Sequence, residues 1–188
     1  KPLFIGEDAY KGKPNPHAWI SPKRGIIYVD TLSRALSELK PQSKTVFKKN
    51  AEIYKNKLLE IDEDFSLFLN TLKKNQKYLV SCEGAFTYLT NDYGLKEAYL
   101  WPVNAESQIT PKRMAKVISL VKTNDIPAVF CESTVSSESQ LAVARETGAK
   151  FGGNFFVDSL SEKNGPASSY IDLLNHNLNL IKQAFSTK

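Results

Sequence analysis

The sequence predicts an α/β protein: a parallel four-stranded sheet flanked by helices, preceded by a long rigid linking helix. Two observations carry this. After residue 76, four short apolar runs alternate with four helical stretches, and such alternation builds a parallel sheet with right-handed crossovers. Before it, Phe47, Ala51, Tyr54, Leu58, Ile61, Phe65, Phe68 and Leu72 follow one another in steps of four and three residues. That spacing is one helical stripe, and no Gly or Pro interrupts it.

In chain order, residues 1–41 are turn-rich at first, with Gly6, Gly12, Pro14, Pro16 and Pro22. They close with a helical stretch from Lys23 to Leu39, stopped by Pro41. A segment this short buries no core of its own, so it reads as the tail of a domain. The chain opens Lys1-Pro2-Leu3 with no starting Met and no leader pattern. It is therefore expected to begin inside a longer protein or after processing. The next helix, Ser43 to Lys74, would be about 48 Å long at 1.5 Å per residue. A coiled-coil arm and a strut lying across two lobes both answer to that length.

The strands are expected at Lys77–Cys82, Glu97–Val103, Pro127–Glu132 and Lys150–Val157, and the helices at Gly84–Tyr93, Pro111–Thr123, Glu138–Thr147 and Pro166–Phe185. Gly94 and Gly148 stand where left-handed helix ends belong. Thr110-Pro111 reads as an N-cap followed by proline in the first turn. Ser137-Glu138-Ser139-Gln140 has the spacing of a capping box.

Composition narrows the function classes. Of 188 residues, 41% are apolar and 24% charged, which are globular values that exclude disorder. No apolar run reaches the roughly eighteen residues of a membrane span. The net charge of +5 is scattered, not gathered into the basic stripe of a nucleic-acid binder. There is no G-x-S-x-G, phosphate-binding loop or dinucleotide fingerprint. Cys82 and Cys131 are too few for a disulfide framework. Even if their strands are neighbours, adjacent parallel strands seldom aim two Cβ atoms at each other, so free thiols are expected.

Ligands of an open parallel sheet bind beyond the C-terminal strand ends. Glu83, Glu132 and Asp158 stand at three such ends. Three acids on one rim repel unless a cation or protons intervene. Each could instead cap the helix that follows its strand. His176 sits beside the apolar stripe Ile171, Leu174, Leu178 and Ile181 and is expected at the surface. His17 lies in Asn15-Pro16-His17-Ala18-Trp19-Ile20-Ser21-Pro22, where prolines fix the backbone as a presented ligand requires.

These segments resemble a known family. Asn15 to Pro22 is similar to the D-P-H-x-W-x-D/S-P segment of the manganese and zinc solute-binding proteins of ABC importers, the cluster A-I metal receptors. Ser81-Cys82-Glu83-Gly84-Ala85-Phe86 with Tyr88 resembles their S-E-G-A-F-x-Y. Phe130-Cys131-Glu132-Ser133 resembles their F-V-E-S, and Phe156-Val157-Asp158-Ser159-Leu160 their F-x-D-S-L.

The resemblance implies a two-lobed clamp. Residues 1–41 would end an N-terminal lobe, 42–75 would be the interlobe helix and 76–188 the C-terminal α/β lobe. The metal ligands it implies are His17, Glu83 and Asp158, with a further His upstream. Glu132 matches no family ligand and is assigned to hydrogen bonding around the site. Asn15 replaces a common Asp, and Cys82 replaces a Ser or Thr, placing a thiol beside the site. Zinc receptors of the family typically carry His where Glu83 stands, and many have a His-rich loop before the second His. Gly6–Asn15 has no His, and carboxylates suit manganese better than a nitrogen-only set does. Mn2+, or iron, is therefore the expected cargo, with Zn2+ also binding.

The function implied is extracytoplasmic, membrane-associated capture of a divalent metal by a monomer, in the periplasm or outside the cell. Its partner would be the membrane permease of a metal ABC importer, with no nucleic acid involved. Two alternatives stand: a metal-dependent hydrolase-like enzyme using Glu83 and Asp158, and an adhesion module with a structural metal.

Overall fold

The computed structural model of the chain describes residues 1–6, 10–73, 76–103 and 109–186. Its elements run α1 (Pro22–Leu39), α2 (Lys44–Leu69), β1 (Tyr78–Glu83), α3 (Thr87–Tyr93), β2 (Lys96–Trp101), α4 (Pro111–Thr123), β3 (Ala128–Glu132), α5 (Glu138–Thr147), β4 (Lys150–Phe155) and α6 (Tyr170–Ser186). A 3-10 turn at Ala18–Ile20 precedes α1.

The long helix is shorter than its stripe. It ends at Leu69, because the Thr71 hydroxyl donates to the Phe68 carbonyl at 2.7 Å and tightens the chain into a turn. The expected end at Lys74 and the boundary at residue 75 lie outside the described residues. At 26 residues the helix spans about 39 Å. It does not stand free: α1 runs back along it as an antiparallel partner. Gly25 lies against Leu58 at one end of the pair, and Asp30 meets Lys55 at 2.8 Å further along. The buried face of α2 is Ala51, Leu58, Ile61, Phe65 and Leu69, each large side chain contributing roughly 2 kcal/mol.

The strands carry helices on both faces because their apolar side chains alternate. Leu79, Ala128, Phe130 and Phe155 join a core with Leu58, Phe65, Leu89, Leu174 and Ile181 of α2, α3 and α6. Val80, Cys82, Val129 and Cys131 face the other way, onto Val117, Val121 and Val143 of α4 and α5. Gly152 is where Phe130 presses on β4; a Cβ there would run into the ring.

The expected four-stranded sheet is resolved into two parallel pairs, β1 with β2 and β3 with β4. At the seam between β1 and β3, side chains meet backbone groups. Glu132 accepts from the Glu83 N–H at 3.2 and 3.3 Å. Gln140 of α5 donates to the Val80 carbonyl at 3.2 Å.

The seam also corrects the expectation of free thiols. Cys82 and Cys131 form a disulfide, with Cα atoms 4.7 Å apart. Both side chains lie on the α4/α5 face of neighbouring strands, within the range a bridge spans.

Two helices after residue 76 start later than expected. Helix α3 begins at Thr87, not Gly84, since the Gly84 and Phe86 N–H groups are committed to Trp101 and Glu97 of β2. Helix α6 begins at Tyr170, not Pro166, because Ser169 accepts from the Asp172 N–H at 3.2 Å. The capping box at α5 does not form: Ser137 donates to Asn154 and Gln140 reaches Val80 instead. Thr110 caps α4 through the Arg113 N–H at 3.2 Å, as expected. Gly94 and Gly148 take left-handed conformations, φ 66° and 75°.

Candidate metal centre

His17 closes the rigid loop before α1. Pro16 and the 3-10 turn at Ala18–Ile20 fix its backbone, and its side chain is buried, with the residue 2% exposed. The Trp19 ring meets the imidazole edge-on, centroids 5.2 Å apart. The Trp19 indole N–H donates to the Val157 carbonyl at 3.2 Å. The turn carrying His17 is thereby tied to the residue preceding Asp158. Tyr170 of α6 donates to the Trp19 carbonyl at 2.6 Å and secures the turn from below.

Glu83 ends β1 and is 7% exposed. Asp158 lies beyond β4 with its side chain 44% exposed. The stretch between β4 and Asp158 is held by Asn177 of α6. Its side chain accepts from the Phe156 N–H at 2.9 Å and donates to the Phe156 carbonyl at 2.7 Å.

The three side chains meet. His17 Nε2 is 3.8 Å from Glu83 Oε1 and 3.6 Å from Asp158 Oδ1. Donor atoms sharing one cation at metal–ligand distances of about 2.1 Å lie roughly 3 to 4 Å apart. Burial lowers the His17 pKa, against the opposing pull of Asp158, so the imidazole is neutral at pH 7. A neutral nitrogen and two carboxylates on one spot is a donor set that a divalent cation completes.

Glu132 approaches from behind. It is 2% exposed and spends its carboxylate on the Glu83 backbone. Burial first, then the charges of Glu83 and Asp158, push its pKa well up. The sulfurs of Cys82 and Cys131 and the Glu132 carboxylate lie within 4.8 Å of one another. The sulfurs are bonded together, so this trio offers no thiolate, and the expected thiol beside the site is absent. His176 stands apart, near the Asn154 carbonyl at 3.2 Å and edge-on to Phe156.

Residues 4–184 match the ZnuA family, described as the periplasmic component A of a zinc-uptake complex. The chain belongs to this family. Among its relatives, the iron-binding protein YfeA of Yersinia pestis is 43% identical over 98% of this chain and 59% of its own length. The manganese ABC transporter substrate-binding lipoprotein PsaA of Streptococcus mitis is 30% identical over 98% of this chain and 60% of its own. The chain thus spans about three-fifths of these ZnuA-family relatives. A manganese-bound periplasmic metal-binding protein from Candidatus Liberibacter asiaticus superposes with TM-score 0.90 at 34% identity, over 98% of this chain and 68% of that one.

Sequence reasoning missed two residues that hold the segments carrying His17 and Asp158: Trp19 through its indole N–H, and Asn177. Asn177 left a faint signal, an amide inside the apolar stripe of α6. For Trp19 the partner, Val157, lies 138 residues away.

Proposed function

We propose that this chain is the metal-closing part of an extracytoplasmic receptor that captures a divalent cation and delivers it to the membrane permease of an ABC importer. His17, Glu83 and Asp158 are the ligands it supplies, and a further His lies upstream in the longer protein. Residues 1–41 end the N-terminal lobe, 42–75 link the lobes and 76–188 form the C-terminal lobe. The receptor acts as a monomer in the periplasm or at the outer face of the membrane.

The observation that carries this reading is the approach of His17 Nε2 to Glu83 and Asp158, at 3.8 and 3.6 Å. Two carboxylates among the ligands favour manganese or ferrous iron as cargo, with zinc able to compete. Relatives named for iron and for manganese support the same range. A receptor is favoured over a hydrolase because the spare carboxylate nearest the site, Glu132, is committed to the Glu83 backbone.

Competitive titration with Mn2+ and Zn2+ tests the reading. The variant His17→Ala is expected to bind both metals at least about 100-fold more weakly, and Asp158→Ala about 10- to 100-fold more weakly. Unchanged binding in both would overturn it.

A further inference from the structure

The ligand set leaves one buried amide without a role. Asn15 is 3% exposed and has a partner on every side. Its Oδ1 accepts from the His17 backbone N–H at 3.0 Å and lies 3.0 Å from His17 Nδ1. Its Nδ2 donates to the Gly84 carbonyl at 2.8 Å and to Thr87 Oγ1 at 3.1 Å.

Two of these partners have fixed chemistry. A backbone N–H only donates and a backbone carbonyl only accepts. Turned over, the amide would face its NH2 to the His17 N–H and its oxygen to the Gly84 carbonyl, two repulsive contacts in a buried place. One orientation therefore holds, with the oxygen toward His17 Nδ1. A ring nitrogen facing an acceptor must carry the hydrogen, and a neutral imidazole with hydrogen on Nδ1 has its lone pair on Nε2. That atom is the one facing Glu83 and Asp158.

The order of donors continues away from the site. Thr87 Oγ1 receives from Asn15, so its own hydrogen goes to Glu97 Oε2 at 2.7 Å. Glu97 Oε1 accepts from the Phe86 N–H at 2.9 Å. The chain from His17 through Asn15 and Thr87 ends on a group that accepts at both oxygens.

We infer that Asn15 is a positioning residue that locks His17 as the Nδ1–H tautomer, so that Nε2 is presented to the cation, and that joins the His17 loop to the Glu83 turn through the Gly84 carbonyl. The inference rests on the metal reading above for its purpose, not for its geometry. An amide donates to Gly84 and Thr87 as well as accepting from His17, and it adds no negative charge beside Glu83 and Asp158.

Two measurements on the protein test this. Two-bond 1H–15N correlation spectra of the metal-free protein at neutral pH read the His17 tautomer, and zinc titration reads affinity. Two variants separate the roles. Asn15→Asp keeps an acceptor at Nδ1 and loses both Nδ2 donations. Asn15→Leu loses everything.

The parent and N15D are expected to show hydrogen on Nδ1. N15L should show a mixture or Nε2–H, with zinc affinity lower by about 10- to 100-fold. An unchanged tautomer in N15L overturns the inference. So does an N15D that loses the tautomer as fully as N15L, since Asn15 would then only hold the loop. Should N15L fail to fold, N15D decides alone: Nδ1–H supports the inference and Nε2–H overturns it. A parent that binds no zinc but shows the expected tautomers keeps the inference and sinks the metal reading. A parent whose His17 responds to zinc, with a tautomer indifferent to Asn15, does the reverse.

Discussion

At His17, burial and charge pull in opposite directions and burial prevails. The folded pKa lies below the reference value of about 6.5, so the nitrogen is unprotonated at pH 7. Protons and metal compete for the same lone pair. Metal affinity is therefore expected to be flat from pH 8 to about 6.5 and to fall as pH drops through the lowered folded value. The unfolded chain takes up this proton first, so this residue's contribution to stability also declines below about pH 6.5. Calorimetry giving equal affinities at pH 7.5 and pH 5 would remove His17 from the ligand set.

In the proposed ligand set, selectivity falls to Glu83. Glu83→His exchanges a carboxylate that can bind through two oxygens for a single imidazole nitrogen. Manganese should weaken strongly and zinc, content with four ligands, much less. The zinc-over-manganese ratio should widen by about 10-fold, equivalent to about 1.4 kcal/mol, read by competitive titration. A ratio that does not move would leave Glu83 outside the ligand set. Strand ends and proline-fixed backbone marked Glu83, Glu132, Asp158 and His17 as presented side chains, and the family resemblance singled out His17, Glu83 and Asp158, which the structure brings together. The hydrogen bonds that Asn15 and Trp19 make were not legible, because their partners Gly84 and Val157 are 69 and 138 residues away.

At the scale of elements, periodicity and punctuation carried most of the reading. Helices α4 and α5 begin and end where Thr110-Pro111, Glu138 and Gly148 put them. What escaped was decided by side chains crossing between elements. Helix α3 starts late because β2 holds the N–H groups that precede it. The β1/β3 seam is built from Glu132, Gln140 and a disulfide, and no strand pattern encodes that.

The disulfide closes a loop of 49 residues across this seam. Chain entropy for such a loop is worth about 4 kcal/mol. The double variant Cys82→Ser/Cys131→Ser is therefore expected to lose roughly 3 to 4 kcal/mol in urea denaturation. A loss below about 1 kcal/mol would show that the seam is held by its hydrogen bonds and packing alone.

At the scale of the molecule, the sheet pairs hold two carboxylates at their C-terminal edge, and the α1/α2 pair closes the core on one side. The Ala18–Ile20 turn then brings His17 over that edge. Arg24 binds Asp92 of α3 at 2.5 and 2.8 Å, and Ser21 binds the same carboxylate at 2.7 Å. These contacts fix the start of α1 against α3, so His17, from before the long helix, sits over strand ends from after it. Manganese anomalous diffraction from crystals of the metal-loaded protein tests this arrangement most directly. The predicted result is one peak within about 2.0 to 2.3 Å of His17 Nε2 and of carboxylate oxygens of Glu83 and Asp158. A peak that leaves any of the three outside bonding distance, or one seated elsewhere such as at His176, would contradict it.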